Sequence, residues 1–204
     1  MADTPNVQDK VKYGISDMHY AVMTDSGYGT VKAHPGAVSL TLSPEGENIN
    51  FAADNSNEYF VVVDNRGYTG SVEVARLLDE FFVDILGETL DTVAKTLLEK
   101  ADGQEAVHFA FGCKIDGPKY PTYIWFYNCT AERPNLNANT TGETTEPETD
   151  SFNIACHKDS AGKVRCKTTC NTPDAVIEGW FSSVFDPENY TPPNGSTPPS
   201  GGQG

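Results

Sequence analysis

Cys156, His157, Cys166 and Cys170 fall within 15 residues, and thiolates with an imidazole are ligands that zinc prefers. The span holds no C-x-x-C and no spaced His pair, so zinc is the weaker reading. If "DSAG", residues 159–162, is the turn of a hairpin, Cys156 and Cys166 fall opposite each other on its inward face as small hydrophobes. The stretch "YNCT", residues 127–130, offers three further chemistries: Cys129 as a nucleophile, Cys129 as a disulfide partner, and Asn128 as an N-x-[ST] glycosylation acceptor. A cysteine nucleophile needs a poised thiolate, a base and an orienting group. The 4 histidines are scattered, and His19 and His108 sit inside strand patterns where packing is the commoner role. "GYGT" and "GYTG" are turn-like pieces without the context of a phosphate-binding loop, and the carboxylates Glu146 and Glu148 lie in a loop, a poor platform for acid–base work. No feature demands an enzyme, a metal or a cofactor.

Composition bounds the remaining possibilities. A chain of 204 residues can bury one sizeable core, which fits a single domain. The formal net charge is −15, from 29 acidic and 14 basic side chains, so the surface repels phosphate backbones and a nucleic-acid reader is excluded. The opening "MADTPNVQDKVKYG" carries acids and no apolar run of signal-peptide length, and no stretch approaches the roughly 20 apolar residues of a membrane helix. The expected compartment is the cytosol, with no membrane partner. There the acceptor patterns at Asn128, Asn139, Asn189 and Asn194 are coincidences of composition, and the 5 cysteines stay thiols.

Most of the chain must form strands. "VSLTLS" places Val38, Leu40 and Leu42 on one face, and "VHFAFGCKI" does the same with Val107, Phe109, Phe111, Cys113 and Ile115. In "YIWFYNCTA", Tyr123, Trp125, Tyr127, Cys129 and Ala131 share one face, while Ile124 and Phe126 take the other. Further strands are expected at "MHYAVM", "EYFVVV", "GSVEVA", "DSFNIACH" and "KVRCKT", separated by Gly, Pro, Asn and Asp, which predicts an antiparallel sandwich or barrel. Two stretches carry helical spacing instead. Leu77, Leu78, Phe81, Phe82, Ile85 and Leu86 precede Gly87 as a C-terminal stop. Near the end, Thr172 reads as an N-cap and Pro173 as the first helical residue of a stripe through Val176, Ile177, Trp180, Phe181, Val184 and Phe185.

Residues 1–10 read as a flexible N-terminal arm, residues 11–190 as the β domain and residues 191–204 as a Pro/Gly/Ser-rich flexible tail. Residues 43–57 and 135–150 read as long loops, and loops of that length serve a partner or stay disordered. Residues 33–65 hold no Lys or Arg but carry Glu45, Glu47 and Asp54, and residues 134–157 likewise carry Glu143, Glu146 and Glu148. Basic residues gather in "KDSAGKVRCK". If Lys163, Arg165 and Lys167 alternate on one strand face, that face would meet the acidic loops of a neighbouring copy, in contacts that salt weakens.

Five collinear blocks over residues 11–186 carry a resemblance: "VKYGISDMHYAVM", "PGAVSLTLSPEGENINFAADN", "GYTGSVEVARLLDEFFVDILGE", "YIWFYNCTAERP", and "GKVRCKTTC" with "VIEGWFSSVF". Together they resemble the major tail protein family, the tail tube proteins of long non-contractile-tailed bacteriophages of siphovirus type. The acidic "TTGETTEPETD" loop and the linker-like tail depart from it, and some relatives carry an immunoglobulin-like domain in place of such a tail. The resemblance implies a mainly β chain: an antiparallel β-sandwich with a flanking helix and a C-terminal helix, closing into hexameric rings with an inner β-barrel that stack into a tube. It also implies the partners: further copies of itself, the tape measure, tail terminator and distal tail proteins, and double-stranded DNA passing through the lumen without specific binding. The location implied is the virion, after assembly in the host cytoplasm. The alternative is a carbohydrate-binding or adhesion β-sandwich presenting Tyr120, Tyr123 and Trp125 as a platform.

Overall fold

The computed structural model describes residues 10–53, 56–101, 105–138, 140 and 147–191, so all of the expected arm but Lys10, and all of the expected tail but Thr191, lie outside the described residues. The chain is mainly β, and every strand pairing is antiparallel. In order, the elements are β1 (Gly14–Thr24), β2 (Gly27–Tyr28), β3 (Lys32–Ala33), β4 (Ala37–Glu45), β5 (Asn48–Ala53), β6 (Ser56–Val63), β7 (Gly67–Val74), α1 (Asp79–Asp84), β8 (Thr89–Leu90), β9 (Leu97–Leu98), β10 (Phe109–Asp116), β11 (Thr122–Ala131), β12 (Asp150–His157), β13 (Arg165–Lys167) and α2 (Asp174–Glu178).

The main sheet runs β2-β1-β10-β11-β12-β7-β4, with β3 beside β1 and β13 beside β11. It curls so that β4 returns towards β1. Met18, Tyr20, Val72, Val74, Phe109, Phe111, Phe126, Phe152 and Ile154 fill the inside of the curl, with Leu40 and Leu42 packed against them. Each large side chain taken fully out of water there contributes about 1.5–3 kcal/mol.

Three departures from simple alternation shape this sheet. Val38 sits at a register shift in the β4–β7 pair and is turned out, 47% exposed, while Ala37 takes the inward place. The expected inward row of Val38, Leu40 and Leu42 therefore holds only for the two leucines, because a bulge moves one residue to the other face. A second bulge lies in β11: Phe109 pairs with Cys129 but Phe111 with Phe126, so two residues of β11, Tyr127 and Asn128, span the place of Ala110 alone. Before the bulge Tyr123, Trp125 and Tyr127 face outward; after it Cys129 and Ala131 face the inner core. The five residues read as one face thus divide between two. Third, most of residues 43–53, with 56 and 57, is strand where a loop was expected. Strand β4 continues to Glu45, Arg66 N–H and Asp64 N–H donate to Glu45 O and Glu47 O, and β5 pairs with β6 beyond. Residues 37–53 and 56–74 form a long antiparallel arm in which β5 and β6 make a sheet of their own, apart from the main one.

Helix α1 closes the curl. It spans only 6 residues, shorter than the spacing predicts, with Leu77 before it and Ile85 and Leu86 after it buried alongside Phe81. Gly87 adopts φ +71°, the left-handed stop expected of it. No side chain of its own caps the helix; instead Leu77 N–H donates to Asp150 Oδ2 at 2.8 Å and Leu78 N–H to His34 Nε2 at 3.2 Å. Gly112 of β10 lies flat under the Trp125 indole, where an added Cβ would stand 2.7 Å from the ring.

Two outcomes follow from these contacts. Gly112→Ala is expected to cost about 1–3 kcal/mol, because Trp125 is enclosed and cannot retreat; thermal unfolding of the variant checks it. His34 is fully buried, accepts a hydrogen bond through Nε2, and its Nδ1 has no partner among the described residues. Burial pushes its pKa below the ordinary histidine value of about 6.5. Its neutral form therefore adds stability that is fully present above the unfolded value and is lost as pH falls from about 6.5 through the folded pKa. Denaturant titrations at pH 7.5 and pH 5 should show this loss, and His34→Phe should flatten it while lowering stability at pH 7.5 by leaving Leu78 N–H unpaired.

Candidate functional site

The outward face of β10 and β11 carries the second core. Ala110, Trp125 and Tyr127 are covered by Val176 of α2 and by Trp180, with Phe181, Val184 and Phe185 packed around them. Helix α2 spans 5 residues and ends at Gly179, after which the apolar stripe continues through turns. Thr172 does not cap it: Pro173 holds the N-cap position, and Thr172 Oγ1 accepts from Thr169 N–H at 2.9 Å instead. The covering segment is fastened by Trp125 Nε1–H to Trp180 O, 3.0 Å, and Tyr127 O–H to Phe185 O, 2.9 Å. Trp125 is consequently fully buried and Tyr123 packs on Trp180 and Phe181. Of Tyr120, Tyr123 and Trp125, the last two thus pack against the chain's own C-terminal segment.

The basic stretch is arranged otherwise than a hairpin. Strands β12 and β13 both pair with β11 on the same side, one after the other along its length, and residues 158–163 loop out between them. Cys156 therefore does not face Cys166: Cys156 lies in the inner core opposite Cys129, and Cys166 packs on the outer one. Among the described residues no three or more His, Cys, Asp or Glu side chains cluster as a metal site.

Lys163 belongs to the looped-out segment, not to the strand. Its Nζ lies 2.7 Å from Asp186, 3.4 Å from Glu188 and 3.9 Å from Asp159, and 5.6 Å from the centre of the Tyr127 ring. Hydrogen bonding to Asp186 raises the Lys163 pKa and the same bond lowers that of Asp186. Arg165 stands 4.9 Å from the Tyr68 ring and Lys167 is exposed on β13, so Lys163 does not share a face with them. The three cations do not form the row expected of them, because the strand is interrupted where alternation was assumed.

The acidic candidates divide as well. Glu45 accepts from Thr69 Oγ1 at 2.6 Å, and Glu47 lies 4.0 Å from Arg66, which also binds Asp64 at 2.6 Å. Two acids of residues 33–65, Glu47 and Asp64, thus have a basic partner just past the end of their run. Glu148 is exposed; Asp54, Glu143 and Glu146 lie outside the described residues.

Among the described residues, the β4 end of the main sheet presents a strand edge without a hydrogen-bonded partner and an uncovered outward face, and neither was singled out from the sequence. Among the described residues strand β4 hydrogen-bonds to β7 alone, although it approaches β1. Between the bulge at Val38 and Pro44, its other edge consists of Ser39, Leu40, Thr41, Leu42 and Ser43, all uncharged. Native proteins usually guard such an edge with charge, proline or a bulge; here the last two stand only at its ends. The adjoining outward face of β4, β7 and β12 presents Ser39, Thr41, Thr69, Ser71, Glu73 and Asn153 over a shallow groove of about 520 Å³ beside Gly70. Ser39 and Thr149 hydroxyls donate to Glu73 and lower its pKa. The period-2 pattern marks these residues as outward, but it does not show which outward face another element will cover.

Among the described residues this arrangement is that of a mainly β, antiparallel protein with two cores, an unpaired edge at β4 and a hydroxyl-rich outward face beside it. Neither protein-family models nor curated protein sequences match the chain.

The thiols respond to their positions. Burial pushes Cys113 up to about 12 and holds Cys129 well above the usual thiol range; Cys166 is raised, chiefly by burial, but is only half-buried. Alkylation of native protein at pH 8 should label Cys166 and Cys170 and spare Cys113, Cys129 and Cys156 until denaturant is added, read by peptide mass mapping.

Proposed function

We propose that the chain is a structural subunit of a phage tail tube, stacking as rings, hexameric by the family resemblance, into a conduit for the genome. The observation that supports this reading best is the open edge of β4. A long uncharged edge in a strand-rich chain is an aggregation hazard unless another strand pairs with it, and pairing between identical subunits closes a ring and removes the edge. In this reading the sheets of successive copies join into an inner barrel, with the bare face of β4, β7 and β12 turned to the lumen. Hydroxyls and the carboxylate of Glu73, without a lysine or arginine among the outward residues named above, repel phosphate and let DNA slide. The arm of residues 37–53 and 56–74 and the part of residues 135–150 that is described extend from that sheet and are available for contacts between rings. Tape measure, tail terminator and distal tail proteins are the further partners in this proposal.

Lys163 has no place in the contact between copies, since its charge is taken up by Asp186, Glu188 and Asp159 of its own chain. What copies then feel at a distance is repulsion at a net charge of −15 each. Added salt screens this and should promote assembly, opposite to the dependence expected from pairing of acidic loops with a basic row.

Negative-stain microscopy and scattering over a concentration and salt series should show rings or tubes with a central hole. Thr41→Lys, which places a charge on the edge strand at an exposed position, should reduce assembly at least tenfold while shifting monomer stability by less than about 0.5 kcal/mol. A protein that stays monomeric at every concentration and salt overturns the reading.

A further inference from the structure

Cys129 and Cys156 are register partners on β11 and β12, and their sulfurs are 3.2 Å apart. Their place in the ladder follows from one bond. Glu132 N–H donates to Asn153 O, so residues 132 and 153 form a hydrogen-bonded pair. Counting back along the register, 130 with 155 is again hydrogen-bonded and Cys129 with Cys156 is a non-hydrogen-bonded pair. At such positions Cα atoms approach to about 4.5 Å, within the roughly 4.4–6.8 Å that a disulfide spans. Both thiols are fully buried, and the bulge in β11 is what brings Cys129 to the inner face at all.

We propose that Cys129 and Cys156 are a latent cross-strand disulfide, a modification site that a low-molecular-weight disulfide closes. Opening of the β11–β12 pair exposes one thiol, which loses its proton and attacks the reagent, forming a mixed disulfide and releasing one small thiol. The second cysteine, also as thiolate, attacks the protein sulfur of that mixed disulfide and releases the other small thiol. The two cysteines give up two protons and two electrons, and one reagent molecule is reduced to two thiols. The bond encloses residues 130–155 and so restricts the unfolded chain over that loop. Nothing in this inference depends on the tube reading; it concerns the isolated chain.

The competitor is Cys113, on β10, buried in the same core and near enough that a charge on Cys156 raises its pKa. Strand β10 does not pair with β12, so Cys113 and Cys156 have no shared register.

The test incubates reduced protein with oxidised glutathione in sub-denaturing urea, then maps peptides without reduction. The expected product has lost two hydrogens, links the Cys129 and Cys156 peptides, and melts roughly 5–10 °C higher than the reduced form, reversibly with dithiothreitol. Cys113→Ala should form the same link. Cys129→Ala should not, and the wild-type and Cys113→Ala maps decide the matter if Cys129→Ala fails to fold. A link through Cys113, a stable glutathione adduct, or no link once the β11–β12 amides exchange would overturn the proposal.

Discussion

One strand serves two cores, and the rest of the structure depends on it. Strand β11 buries Trp125 and Tyr127 outward and Phe126 and Cys129 inward, which regular alternation along its whole length does not allow. The bulge at Tyr127 and Asn128 supplies the extra residue that changes the face. Its first half then offers a bed for Trp180 and the C-terminal segment, and its second half completes the inner core against β12. A bulge costs ladder hydrogen bonds locally, and the two buried clusters on either side of β11 offset that cost.

With the middle of the sheet covered on both sides, the exposed part is displaced to one end. Strands β12, β7 and β4 keep their inner faces on the core, and among the described residues nothing covers their outer faces or pairs with the second edge of β4. Electrostatics follows the same division. Lysine is used to hold the chain to itself: Lys163 secures the C-terminal segment through Asp186, and Lys32 ties β3 to α1 through Asp84 at 2.6 Å, where Tyr20 O–H also donates. These ion pairs are partly exposed and contribute about 1 kcal/mol or less each, so their role is to fix position more than to supply stability. The bare face is left with hydroxyls and carboxylates.

Strands were legible in the sequence wherever period-2 rows ran without interruption. Phe109, Phe111 and Cys113 point inward as their spacing says, and Gly87 ends α1 as a left-handed residue. What could not be read is where a row changes face, because bulges at Val38 and at Tyr127 are decided by pairing with distant strands. The same limit hid the line of β12 and β13: "DSAG" has the composition of a hairpin turn, yet the chain leaves β11 and returns to it. Helix lengths were overestimated because the apolar stripe after Gly179 packs equally well from turns. Charge runs were visible, but their partners were not; Arg66 lies one residue past an acidic run, and Asp186 is 23 residues from Lys163. The candidate surface was the least legible part, since a bare edge or face is defined by what the rest of the chain fails to cover.

The proposal that another copy completes the edge of β4 concerns the backbone amides of that strand. Hydrogen exchange of backbone amides, compared between dilute protein and a concentrated assembled sample, tests it most directly. The account predicts that residues 39–43 include amides that exchange rapidly in the dilute protein and become strongly protected on assembly, while those of β10 and β11 are protected throughout. Residues 39–43 already fully protected in the monomer, or still exchanging rapidly in the assembled sample, would contradict it.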